Sequence, residues 1–125
     1  MPVVRLDIAY DGSGFHGFPR HPRVRTVQGE LEAALEKVLG HSVETTGAGR
    51  TDAGVHARHQ VVSFEVDEIP DVERLRRSLD RMLCPEISVL AASEAPEGFN
   101  ARFSPAWRAY PDFLHPPPPP PPPPP

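Results

Sequence analysis

The chain has 125 residues, of which the last ten are all proline, leaving about 115 to fold, a length that permits one domain. Charged residues at 24% and hydrophobic residues at 38% exclude an intrinsically disordered body, and the single cysteine, Cys84, excludes an internal disulfide or a multi-cysteine zinc site. The net charge of −4 argues against a nucleic-acid partner for the chain as a whole, yet residues 1–29 carry Arg5, Arg20, Arg23 and Arg25 against only Asp7 and Asp11, and all but one of the basic residues are arginine, the side chain suited to phosphate contacts.

Residues 3–10 (VVRLDIAY) alternate in polarity and are rich in β-branched side chains, which predicts a strand; the DGSG that follows predicts a turn. Thr26 is placed to cap a helix whose apolar residues Val27, Leu31, Leu35, Val38 and Leu39 recur at helical spacing, with Gly40 placed to end it. Residues 42–46 form a short strand candidate, residues 47–55 a glycine-rich loop, and residues 59–66 (HQVVSFEV) an apolar strand. Pro70 and Asp71 open a second helix with Val72, Leu75, Leu79, Met82 and Leu83 as its buried stripe, terminated at Cys84-Pro85. Residues 87–91 read as a fourth strand, and residues 99–110 as a loop entering a fifth. The order predicts an α+β, ferredoxin-like β-α-β-β-α-β fold, an antiparallel sheet with both helices on one face and the other face open. No apolar run reaches the length of a membrane span and the first residues lack the pattern of a signal peptide, so no membrane and a cytoplasmic location are expected.

The most informative stretch is GAGRTDAGVHA, residues 47–57. Its glycines permit close approach of a ligand, and Arg50 and Asp52 place a fixed cation two positions from a carboxylate. A neighbouring arginine favours the ionised carboxylate, keeping it available as nucleophile or base; a structural ion pair in a turn is the competing reading. The stretch lacks the third glycine of G-x-G-x-x-G, and no G-K-[ST] occurs, so neither dinucleotide nor nucleoside triphosphate binding is indicated. The histidine pairs His56/His59 and His16/His21 lack accompanying ligands and read as loop residues, so no metal is expected.

GRTDAGVHA, with AYDGSGFHG and TVQGELEAAL before it and FNARFS after it, closely resembles the N-terminal half of the TruA-type tRNA pseudouridine synthases, in that family's order and approximate spacing, over nearly all of residues 3–110. The resemblance implies an isomerase that converts uridines of the tRNA anticodon stem-loop to pseudouridine without cofactor or metal, and a homodimer. It puts the family's nucleophile on Asp52 and its neighbouring arginine, implicated in base flipping, on Arg50. Tyr10 and Asp11 match a cleft segment, Arg102 an RNA contact with Phe103 as core, and Tyr110 a tyrosine that packs on the target base. Arg58, Arg20 and Arg23 are further RNA-binding candidates. Departures are Phe18 where tryptophan is common, Asp80 where asparagine is common, Asn100 where histidine is common, and Asp112 in place of a second tyrosine.

The larger departure follows residue 110, where the chain reads PDFLH and then polyproline instead of a second half. Residues 1–110 are expected to be a catalytic half, and residues 111–125 a proline-rich low-complexity tail, disordered or produced by truncation or a frameshift. The chain alone is expected to be inactive or weakly active. The competing function is a non-catalytic ferredoxin-like module that binds RNA or protein on its open sheet, although HQVVSFEV lacks the glycine-aromatic pattern of an RNA-recognition motif.

Overall fold

A computed structural model describes residues 1–49 and 57–103 of the chain. Strand β1 (Val3–Tyr10) places Val4, Leu6, Ile8 and Tyr10 on one face and Val3, Arg5, Asp7 and Ala9 on the other, the alternation seen in the sequence. Helix α1 (Val27–Leu39) begins where the Thr26 hydroxyl accepts the Gly29 N–H at 3.1 Å, and buries Val27, Leu31, Ala34 and Leu35. It ends at Gly40, whose φ of 87° is left-handed backbone that a side chain would strain. Helix α2 (Val72–Leu83) starts under an Asp71 cap on the Arg74 N–H and buries Leu75 and Leu79.

Strands β2 (Thr46–Gly47), β3 (Ala57–Glu65) and β4 (Ile87–Ala95) complete one antiparallel sheet in the order β2-β3-β1-β4. The inward residues of β1, with Val62, Phe64, Ile87 and Val89, share one core with Leu31, Leu35, Leu75 and Leu79, so both helices lie on the same face. This is the ferredoxin-like arrangement expected from the element order.

Several local expectations change. Only Thr46 of the predicted 42–46 strand is in β2, because side chains of α1 occupy the backbone of the preceding residue: Glu32 accepts the Thr45 N–H at 2.8 Å and the Gln28 amide donates to its carbonyl at 2.7 Å. Strand β4 runs four residues beyond the predicted 91, pairing along β1 as far as Val3↔Ala95, with a register shift that leaves Leu90 without an opposite residue. Met82 is 44% exposed rather than buried, at the flank of the α2 stripe and the open mouth of a groove shared with Val38 and Leu39.

The second sheet face is covered in part and open along β4, where Ala91 and Ser93 are exposed. Val3, Val61 and Ser63 on it are buried, and the segment after β4 returns across it, the Ala101 N–H donating to the Ser63 hydroxyl at 2.9 Å. Asn100 then turns the chain by accepting the Arg102 and Phe103 N–H groups at 2.9 and 3.1 Å. Ala101 is therefore the residue buried there, and Phe103, expected in the core, is 73% exposed. The predicted fifth strand lies mainly outside the described residues.

Candidate functional site

The end of β1 and the start of β3 meet at Tyr10↔Ala57, just after an irregularity in their register. A concavity of about 430 Å³ opens there, lined by Ala9, Tyr10, Asp11, Ala57, Arg58, Pro85 and Ser88. Tyr10 is buried by its ring, which stacks on Phe18 with centroids 6.4 Å apart, and only its margin reaches the concavity. Asp11 is exposed, its carboxylate accepting the Ser13 N–H at 3.0 Å and the Ser13 hydroxyl at 2.7 Å, which shapes the 3-10 turn Gly12–Gly14. Its N–H donates to the Glu86 carbonyl at 3.0 Å, tying the turn to the α2–β4 connection. Arg25 reinforces that tie: its guanidinium lies 4.6 Å over the Phe15 ring and ion-pairs with Glu86, which holds the Glu86 carboxyl below its usual range.

The described start of the glycine-rich segment, residues 47–49, packs against Phe18 and β3. At Gly47 a Cβ would meet the Phe18 ring at 2.7 Å, so only glycine lets the two segments approach. The Ala48 N–H then donates to the Val61 carbonyl at 2.8 Å, and Gly49 exchanges two hydrogen bonds with the Gln60 amide, both 2.9 Å. Arg50 and Asp52 follow immediately in sequence; they and Tyr110 lie outside the described residues.

Of the remaining sequence candidates, Arg58 is exposed and shares the concavity with Tyr10 and Asp11. Arg20, Arg23 and Arg102 do not line it. Arg20 is half exposed and paired with Glu32 at 2.6 Å, the same carboxylate that holds Thr45. Arg23 is exposed on the loop before α1, and the Arg102 guanidinium sits 5.4 Å from the centre of the Phe103 ring. On the non-helical face, Asp7 receives Arg5 through two bonds of 2.9 and 3.1 Å and faces His59 Nε2 at 2.9 Å. Sequence reasoning missed Ser88, which reaches the concavity only through its cross-strand pairing with Ala9, a register no local pattern reveals. It also missed Gln60; the signal available was one amide inside an apolar strand.

Comparison with known proteins gives these features a context. The model of a family described as tRNA pseudouridine synthase matches residues 8–104. Similar curated proteins include tRNA pseudouridine synthase A of Chlorobium phaeovibrioides, 44% identical over 117 residues, covering 93% of this chain and 48% of that protein. Its counterpart in Cutibacterium acnes is 48% identical over 108 residues, covering 85% of this chain and 39% of the relative. That of Chlorobaculum tepidum is 46% identical over 117 residues, covering 91% and 47%. The chain thus spans about half the length of the curated relatives it matches. Because the match runs from the end of β1 through both helices and the other three strands, over well more than half of the sequence, the chain belongs to the tRNA pseudouridine synthase family.

Proposed function

We propose that this chain contributes to the isomerisation of uridine to pseudouridine in the anticodon stem-loop of tRNA, with Asp52 as nucleophile and Arg50 as the cation beside it. The observation that carries the reading is the family match across residues 8–104, which includes the whole GRTDAGVHA segment. The concavity at its edge supplies an exposed cation, Arg58, beside the polar Asp11 turn and Ser88, a setting suited to a phosphate and a base removed from its stack.

In the reaction the N1–C1′ bond breaks, the uracil rotates, and a C5–C1′ bond forms; the C5 hydrogen leaves as a proton and N1 regains one. An ionised carboxylate is the form that attacks, the ordinary form of an aspartate at neutral pH. Arg50 is also suited to hold the vacated stack or the backbone, and Tyr110 to pack on the extruded base. Arg20, Arg23 and Arg102 serve as peripheral phosphate contacts, the full-length enzyme is a cytoplasmic homodimer, and residues beyond the matched half of the relatives complete the RNA cleft. The 125-residue chain alone therefore turns over weakly or not at all. Among the described residues no helix is long and apolar enough to cross a membrane.

The test follows the expelled hydrogen. Transfer RNA carrying tritium at uracil C5 is incubated with the chain, and with a chimaera joining residues 1–103 to the remaining half of the Chlorobium phaeovibrioides relative. The chimaera is expected to release tritium, and Asp52→Asn to abolish the release. Release that survives Asp52→Asn, or a folded chimaera that binds tRNA without any release, would overturn the assignment.

A further inference from the structure

We propose that Gln60 is a positioning residue for the Arg50–Asp52 segment. Gln60 is 7% exposed, and its amide bonds one residue in both directions: its carbonyl accepts the Gly49 N–H and its NH₂ donates to the Gly49 carbonyl, each at 2.9 Å. Regular pairing between β2 and β3 has ended by then, with Thr46↔Ser63 and Gly47↔Val62, and a single bond from Ala48 to the Val61 carbonyl follows. The Gln60 amide thus continues the ladder by one rung, acting as the backbone of a neighbouring strand would. Gly49 is the last residue before Arg50, so the rung fixes both backbone polar groups at the point where the chain enters the proposed reacting pair.

Burial gives the arrangement its specificity. A buried amide left with one unsatisfied group loses more than the net value of a hydrogen bond, so the Gly49 backbone is favoured in the one orientation that satisfies donor and acceptor together. Among the described residues a Cβ on Gly49 would come no closer than 3.9 Å, to Gln60 itself.

This inference rests on the proposed role of Asp52 and Arg50, and its test separates the two. In the full chain, Gln60→Met keeps the approximate volume of the side chain and removes both bonds. Amide exchange at Gly49 is expected to accelerate about fivefold or more, and tryptic cleavage after Arg50 to quicken, while exchange at Val62 and the unfolding midpoint stay close to wild type. Gln60→Glu, which keeps an acceptor for the Gly49 N–H and no donor for its carbonyl, is expected to retain part of the protection. Where the wild-type chain releases C5 tritium, Gln60→Met lowers kcat at unchanged KM for tRNA. Unchanged exchange at Gly49, or acceleration spread evenly along β3, overturns the proposal. Absence of wild-type turnover counts against the functional reading, and exchange at Gly49 then decides the role of Gln60.

Discussion

At the scale of single residues, the structure separates glycines that are needed from one that is not. Gly47→Ala would drive a methyl into the buried Phe18 ring, and a loss of about 1–3 kcal/mol in urea unfolding is expected. Among the described residues, a methyl at Gly49 meets only ordinary contacts, and Gly49→Ala should remain within about 0.5 kcal/mol of wild type. Both glycines stand in one motif, and sequence alone treats them alike; Phe18 is far along the chain from Gly47, so their contact has no local signature. The Asp7 carboxyl gives a second expectation. Burial alone would raise it, but hydrogen bonds from His59 and Arg5 outweigh burial and hold it below the ordinary value. A depressed carboxyl contributes stability that is present above the unfolded pKa, about 3.9, and is lost as the pH falls through the lower folded value. Asp7→Asn should therefore be less stable than wild type at neutral pH, with a gap that narrows in urea titrations as pH drops toward about 2. A gap constant across that range would show that the charge contributes nothing.

Among the elements, β1 and both helices were legible in the sequence because each is governed by nearby residues: strict alternation in β1, and the Thr26, Gly40 and Asp71 caps flanking apolar residues at helical spacing. The limits of β2 and β4 were not, because long-range partners set them. Residues 42–45 fail as strand where Gln28 and Glu32 of α1 take the backbone of Thr45, and β4 extends because β1 offers it partners to the end. The outer edge of β4 carries a further device. Asp80 of α2 accepts the Val89 N–H at 2.9 Å and Arg76 donates to the Val89 carbonyl at 3.3 Å, occupying groups that an edge strand would present to another chain. Removing the acceptor with Asp80→Ala is expected to cost about 1 kcal/mol and to increase concentration-dependent association, measured by light scattering, since the exposed Leu90 lies next to the freed group. Thr26→Ala, which leaves the Gly29 N–H without its acceptor, should cost about 1–2 kcal/mol.

For the molecule as a whole, the arginine surface expected from the sequence divides into two kinds. Arg20 braces Glu32 and, through it, the approach to β2, so reversing its charge would disturb the fold together with any RNA contact. Arg23→Glu is the cleaner probe: weaker tRNA binding and a log K against log salt slope shallower by about one are expected, with unfolding unchanged. An unaltered slope would remove Arg23 from the interface. The candidate site was legible only in part: Tyr10, Asp11 and Arg58 were named from the sequence and line the concavity, whereas Ser88 and Gln60 take their places through pairing between distant strands. The hydrogen bond from Ala101 to Ser63 has a consequence for how this unit is joined to anything longer. It moves the chain's point of departure from the rim of the sheet, where β4 ends, to the face of an interior strand, β3. A polypeptide attached after residue 103 is thereby tethered over the sheet surface opposite the helices. A short linker at that junction would hold an added domain against this face, and the reach required of it is measured from Ser63 rather than from the outer edge of β4.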